Sequence, residues 1–151
     1  MNTKKISLSL IALLFSVASL CAQAAPRSVA ITANDSMKFS VTSFTVKPGE
    51  LVHVEFKNEG TLAKDVMGHN WILLIAGKDG AAYSTAAASA KGENYEPKAL
   101  AGDVLARIGL LGPKQTGEIT FTAPTAPGNY IYLCSFPAHF QVGMHGVMTV
   151  K

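Results

Sequence analysis

A chain of 151 residues carrying 13 basic and 10 acidic side chains has room for one domain and not for two. Its small positive charge is partly a property of the first segment: without Lys4 and Lys5, 11 basic residues face 10 acidic ones. A near-neutral domain without Lys/Arg clusters is a poor nucleic-acid binder, because such binding rests on phosphate neutralisation.

The first segment reads as a secretory signal peptide. Lys4 and Lys5 precede an apolar run from Ile6 to Leu20, followed by Cys21-Ala-Gln-Ala-Ala25. That order of charge, apolar stretch and Ala-x-Ala site is the leader pattern, and the run is too short to span a bilayer. Cleavage after Ala24 leaves residues 25–151 as a single exported domain, in the periplasm or beyond. It also removes Cys21 and leaves Cys134 alone. An unpaired Cys in an exported chain is reactive, paired between chains, or a metal ligand.

From Arg27 the chain reads as short strands. Ser28–Thr32 is the first, and Met37–Val46 the second. Lys47-Pro-Gly-Glu50 is a turn, since Pro presets φ at one central position and Gly accepts positive φ at the next. Leu51–Phe56 alternates, with Val52, Val54 and Phe56 on one side and His53 and Glu55 on the other, so His53 reads as a surface residue. Asn70–Ile75 is a continuous apolar run that suits a buried strand. Lys78–Gln115 is the irregular part. A short helix is expected within residues 81–98, then a strand from Val104, although a helical turn over Val104, Ile108 and Leu111 also fits the pattern. Gly117–Thr122 alternates, Ala126-Pro-Gly-Asn129 turns, and Tyr130–Cys134 and Gly146–Val150 close the chain as strands. The spacing argues an antiparallel β-sandwich with one helical insertion.

The chemistry lies near the C-terminus. Cys134, His139, Met144 and His145 fall within twelve positions, and His69 lies upstream in Gly68-His-Asn70. Thiolate, imidazole and thioether form a soft donor set, and one Cys with two His and a weak Met suits a blue-copper site. Cys134 ends one strand and Met144 immediately precedes another, so a single loop pinned at both ends folds its side chains around one ion, with Pro137 stiffening it and Gly143 turning it. Taken singly, a buried Cys is a small core hydrophobe, a Met beside a strand packs, and a His lies on the surface. The conjunction outweighs those readings. His145 is the open position: Met144 and His145 are adjacent, and alternation lets only one face the metal.

The runs Val66-Met-Gly-His-Asn-Trp71 and Tyr132-Leu-Cys-Ser-Phe-Pro-Ala-His139 resemble the two copper segments of the azurins. Lys47–Glu50 and Gly146–Val150 are similarly cupredoxin-like. The resemblance covers residues 25–151 and implies a Greek-key cupredoxin sandwich holding one type 1 copper ion. By resemblance, His69, Cys134 and His139 are equatorial ligands, the Gly68 carbonyl is a long axial contact, and Asn70 and Ser135 brace the two ligand segments by hydrogen bonds. Azurins place the axial Met four residues after the loop His, where this chain has Gly143. Cys-x4-His-x4-Met is instead the auracyanin spacing, which picks Met144 over His145. Azurins also carry a disulfide that this chain cannot form.

The implied role is a monomeric one-electron carrier between transient redox partners, without catalysis of its own. The family's electron route runs through the loop His, here His139, with Met67, Pro137 and Phe140 as the apolar patch around it and Val142 as core. A periplasmic copper chaperone or storage protein is the competing reading, although such proteins usually hold copper(I) in exposed His/Met sites without a buried Cys. A metal-free adhesion or binding module of the sandwich type is the third.

Overall fold

The structure is a computed structural model that describes residues 25–151. The leader sequence lies outside the described residues. Eight strands form two sheets. One has three strands in the order β1 (Arg27–Ala33), β3 (Leu51–Asn58), β6 (Thr116–Thr122). The other has five, in the order β2 (Ser43–Val46), β8 (His145–Val150), β7 (Gly128–Leu133), β4 (His69–Leu74), β5 (Val104–Leu111).

The sandwich expected from the strand pattern is present, but two of its pairings are parallel: β1 with β3, and β2 with β8. The reason is topological. The chain leaves β1 for the opposite sheet, forms β2 there, and returns as β3 beside β1 in its original direction. The remaining ladders are antiparallel.

That crossing also divides the expected strand over Met37–Val46. A turn closes on the Met37 N–H and the Asn34 carbonyl (3.0 Å), with Met37 at a left-handed φ of 57°. Phe39 still bridges to Ala33, but the regular strand begins only at Ser43. In the irregular stretch, α2 (Gly80–Ala88) starts from Asp79, whose carboxylate accepts from the Ala81 and Ala82 N–H groups. Two short 3-10 turns follow, and the strand reading of Val104 onwards holds, with Ala106 and Ile108 facing the core.

Alternation places the core. Val52, Val54 and Phe56 of β3 are fully buried, while Glu55 and Lys57 face water. His53 lies on that outer side, with Nδ1 2.9 Å from Thr120 Oγ1. β4 is buried along its whole length, between β7 and β5. Tyr132 is the centre of the core. Its ring lies 5.6–5.7 Å from those of Phe39, Phe44 and Trp71, and its hydroxyl donates to the Val41 carbonyl at 2.7 Å. A buried phenol is tolerable only with such a partner. Gly146 is required beside it, because a Cβ there would collide with the Tyr132 ring and lie 2.6 Å from the Thr42 carbonyl.

Candidate metal centre

Three elements converge at one end of the sandwich. α1 (Lys64–Met67) is a single turn that delivers the chain through Gly68 into β4, so that His69 is the first residue of a buried strand. Gly68 is needed there for space, since a Cβ would lie 2.5 Å from the Lys64 carbonyl and 3.0 Å from Leu110. Cys134 follows the last residue of β7, and Met144 precedes the first residue of β8. The Cys134 N–H donates to the Met144 carbonyl at 3.1 Å, which closes the loop between them. Within it, the Met144 N–H returns to the His139 carbonyl (2.9 Å) and the Gly143 N–H to the Phe140 carbonyl (2.9 Å). Gly143 takes a φ of 95°, the turn-back expected of it, and Ala138 takes 68°.

The loop brings the predicted donors together. His69 Nδ1 is 3.2 Å from His139 Nδ1, which is 3.3 Å from Cys134 Sγ. Candidate ligand atoms of the three residues all lie within 4.8 Å of one another. With metal–nitrogen lengths of about 2.0–2.1 Å and metal–sulfur of about 2.3 Å, angles of roughly 100–120° put two nitrogens about 3.1–3.6 Å apart and a nitrogen and sulfur about 3.3–3.8 Å apart. The observed separations are therefore those of ligands sharing one ion. Met144 is fully buried and His145 exposed, as strand alternation requires if one of them turns inward. His139 retains 2% exposure, whereas His69, Cys134 and Met144 have none.

Burial sets the proton affinities. It pushes the Cys134 thiol up to about 12, against the pull of the Asn70 and Phe136 backbone N–H groups acting on its sulfur. It pushes His139 down to about 4, with His69 adding to the shift. Burial also lowers His69, partly offset by the Asn34 carbonyl and the Asp35 carboxylate. His69 Nε2 has no partner within full hydrogen-bond geometry, although the Asn34 carbonyl acts on the ring. Both imidazoles are thus neutral at pH 7, the form that ligates a metal.

The expected bracing is present. Asn70 Nδ2 donates to Ser135 Oγ (2.7 Å), the Ser135 N–H donates to Asn70 Oδ1 (2.8 Å), and Ser135 Oγ donates onward to the Tyr95 carbonyl (2.6 Å). Tyr95 and Phe136 were not singled out by the sequence pattern. The Phe136 ring lies 4.7 Å from that of His139 and its N–H acts on the thiol. Only the fold brings Tyr95 to this site.

Residues 26–151 match the family described as copper binding proteins, plastocyanin/azurin family. The chain belongs to that family. Among its relatives, azurin-1 of Alcaligenes xylosoxydans is 38% identical over 124 residues, covering 80% of this chain and 95% of azurin-1. Auracyanin-B of Chloroflexus aurantiacus is 35% identical over 119 residues, or 78% of this chain; the match spans 49% of auracyanin-B, about half its length. The dithionite-reduced auracyanin of Roseiflexus castenholzii superposes with a TM-score of 0.72 at 36% identity, covering 85% of this chain and 99% of that one. The cupredoxin fold and copper as the metal stand on these matches together with the donor set.

As a cupredoxin the chain has an apolar fringe that differs in part from expectation. Val142, read as core, is 47% exposed, because the turn at Gly143 carries it outward before Met144 turns in. Val66 is 58% and Leu62 44% exposed. Met67, Pro137 and Phe140 are half-buried. Phe140 lies against Gly80 at the start of α2 and stacks on His145 at 4.7 Å. No helix among the described residues is long and apolar enough to cross a membrane.

Proposed function

We propose that this chain is an exported one-electron carrier whose copper is held by His69, Cys134 and His139, with Met144 as a weak axial ligand. The observation that carries the reading is the buried Cys134–His139–His69 triad, with His69 Nδ1 3.2 Å and Cys134 Sγ 3.3 Å from His139 Nδ1 and all three donors within 4.8 Å of one another. Copper supplies one chemistry when bound, the Cu(I)/Cu(II) couple. The protein supplies a fixed cage. Ser135 and Asn70 lock the two ligand segments together, and the ligand loop is tied at both ends to β7 and β8. A cage that does not rearrange keeps the cost of changing oxidation state low, which suits fast electron transfer.

Burial supports a non-catalytic role. A catalytic metal site keeps a coordination position open to substrate, whereas these ligands are closed off from solvent except for the 2% of His139 that stays exposed. His139 is the proposed electron route. Met67, Pro137 and Phe140, joined by exposed Val66 and Val142 of the same segments, would form an apolar docking surface for a transient redox partner. Residues 1–24 would be the export leader.

The test is the visible spectrum of the copper(II) protein beside that of Cys134→Ser. Thiolate-to-copper charge transfer gives an intense blue band, which should be present in the parent and lost in the variant. An intensely blue Ser variant would remove Cys134 from the ligand set. A colourless copper(II) parent would favour a chaperone or storage site.

A further inference from the structure

We propose that Tyr95 is a positioning residue for the metal loop, holding Ser135 through its carbonyl and Phe136 through its ring. The proposal rests on the copper reading above and extends it to the insertion between β4 and β5.

Asn94 and Tyr95 stand in succession at φ 55° and 61°. Asn visits the left-handed region readily, but a bulky aromatic there is a strained exception that persists only where its surroundings over-determine it. They do so here. The Tyr95 N–H is tied to the Ala90 carbonyl (3.0 Å) and the Asn94 N–H to the Lys91 carbonyl (3.2 Å). Immediately after it, Glu96 is fixed to β5 through Arg107 at 2.7 Å, and its N–H to the Glu93 carbonyl at 3.1 Å. Glycine would take this φ without strain, yet the position holds a tyrosine that is only 7% exposed.

The strain aims two groups at the metal loop. Ser135 Oγ already accepts from Asn70 Nδ2 (2.7 Å), so its one hydroxyl proton is free for the Tyr95 carbonyl at 2.6 Å. That bond completes a directed chain from Asn70 through Ser135 to Tyr95. The Tyr95 ring meets Phe136 edge-on, with centroids 4.9 Å apart and planes at 63°, and Phe136 in turn lies 4.7 Å from the His139 ring. Ser135 and Phe136 also follow Cys134 directly in the chain, so both contacts bear on the segment that carries the thiol. A shift of Tyr95 therefore reaches the orientation of two ligands without touching either. Ligand-orienting partners of this kind tune a metal site through geometry.

Two variants of the full chain separate the two contacts. Tyr95→Gly keeps the backbone angle and deletes the ring; Ser135→Ala keeps the ring and deletes the hydroxyl that joins Asn70 to the Tyr95 carbonyl. In the metal-free protein, amide hydrogen exchange at Phe136 should quicken roughly two- to tenfold in Tyr95→Gly, the equilibrium equivalent of one lost aromatic pair. In the copper protein, both variants should shift the reduction potential and the blue band, and Tyr95→Phe should restore the parent values. Parent-like exchange at Phe136 together with an unshifted potential in both variants would overturn the proposal. Faster exchange in a protein whose parent shows no blue band would uphold the positioning role and refute the copper reading instead.

Discussion

At the scale of single residues, the site pairs groups whose properties come from burial. Met144 faces inward and His145 outward, so the axial ligand is testable by exchange at one position. A thioether favours copper(II) weakly, and the axial ligand is a tuning lever. Met144→Leu should raise the reduction potential and Met144→Gln, with a harder oxygen donor, should lower it. A larger shift from His145→Ala than from either would move the assignment by one residue. Asn70 carries a different burden. Truncating it to Ala leaves the buried Ser135 N–H without an acceptor, which costs about 1–3 kcal/mol. Urea unfolding of the metal-free Asn70→Ala protein should show that loss, and an unchanged midpoint would mean that water replaces the amide.

At the scale of elements, two loops of the three-stranded sheet lie together beside His69 of the other sheet. The Asp35 carboxylate accepts from the Thr61 N–H (2.9 Å) and the Thr61 hydroxyl (2.8 Å), tying the turn after β1 to the loop after β3. These bonds lower its pKa. A depressed carboxylate contributes stability above its unfolded value and loses it as the pH falls through the folded one. Asp35→Asn should therefore destabilise the fold near neutrality, with the difference from the parent closing below about pH 4. A difference that held constant from pH 7 to pH 3 would show that the charge is irrelevant to the clamp. The β7–β8 pair makes a steric prediction. Gly146→Ala drives a methyl into Tyr132 and the Thr42 carbonyl, and overpacking of this kind costs about 1–3 kcal/mol. Thermal unfolding of that variant should fall accordingly.

At the scale of the whole molecule, the metal links segments that are distant in sequence. His69 belongs to the β4 side, while Cys134, His139 and Met144 belong to the β7–β8 loop. A ligand that binds only the folded state stabilises it by mass action, by about 4 kcal/mol when free metal exceeds its dissociation constant a thousandfold. Removing copper should lower the unfolding temperature while leaving the far-ultraviolet spectrum of the sheets intact, because the Asn70–Ser135–Tyr95 chain holds the cage through protein contacts alone. Loss of the sheet signal on chelation would show that the metal, and not this chain of hydrogen bonds, organises that end of the sandwich.

Much of the site was legible in the sequence because its chemistry is local. Cys134, His139 and Met144 share one loop, their soft donors are rare in combination, and the flanking strands announce themselves by alternation, so the candidate donors and the buried β4 run follow from residue type and period. Alternation lets only one of Met144 and His145 face inward, and the auracyanin-like spacing is what selects Met144. What depends on three-dimensional crossing was not legible. The parallel β1–β3 and β2–β8 pairings arise because the chain changes sheets between Phe39 and Ser43, and no local period encodes which sheet a strand joins. Val142 faces water because a turn at Gly143 rotates it outward, against its hydrophobic character. Tyr95 reaches Ser135 across 40 positions of sequence. Its place beside the metal loop is set by left-handed backbone angles and by the anchoring of Glu96 on β5, and local hydrogen bonds together with tertiary packing hold a tyrosine in that conformation.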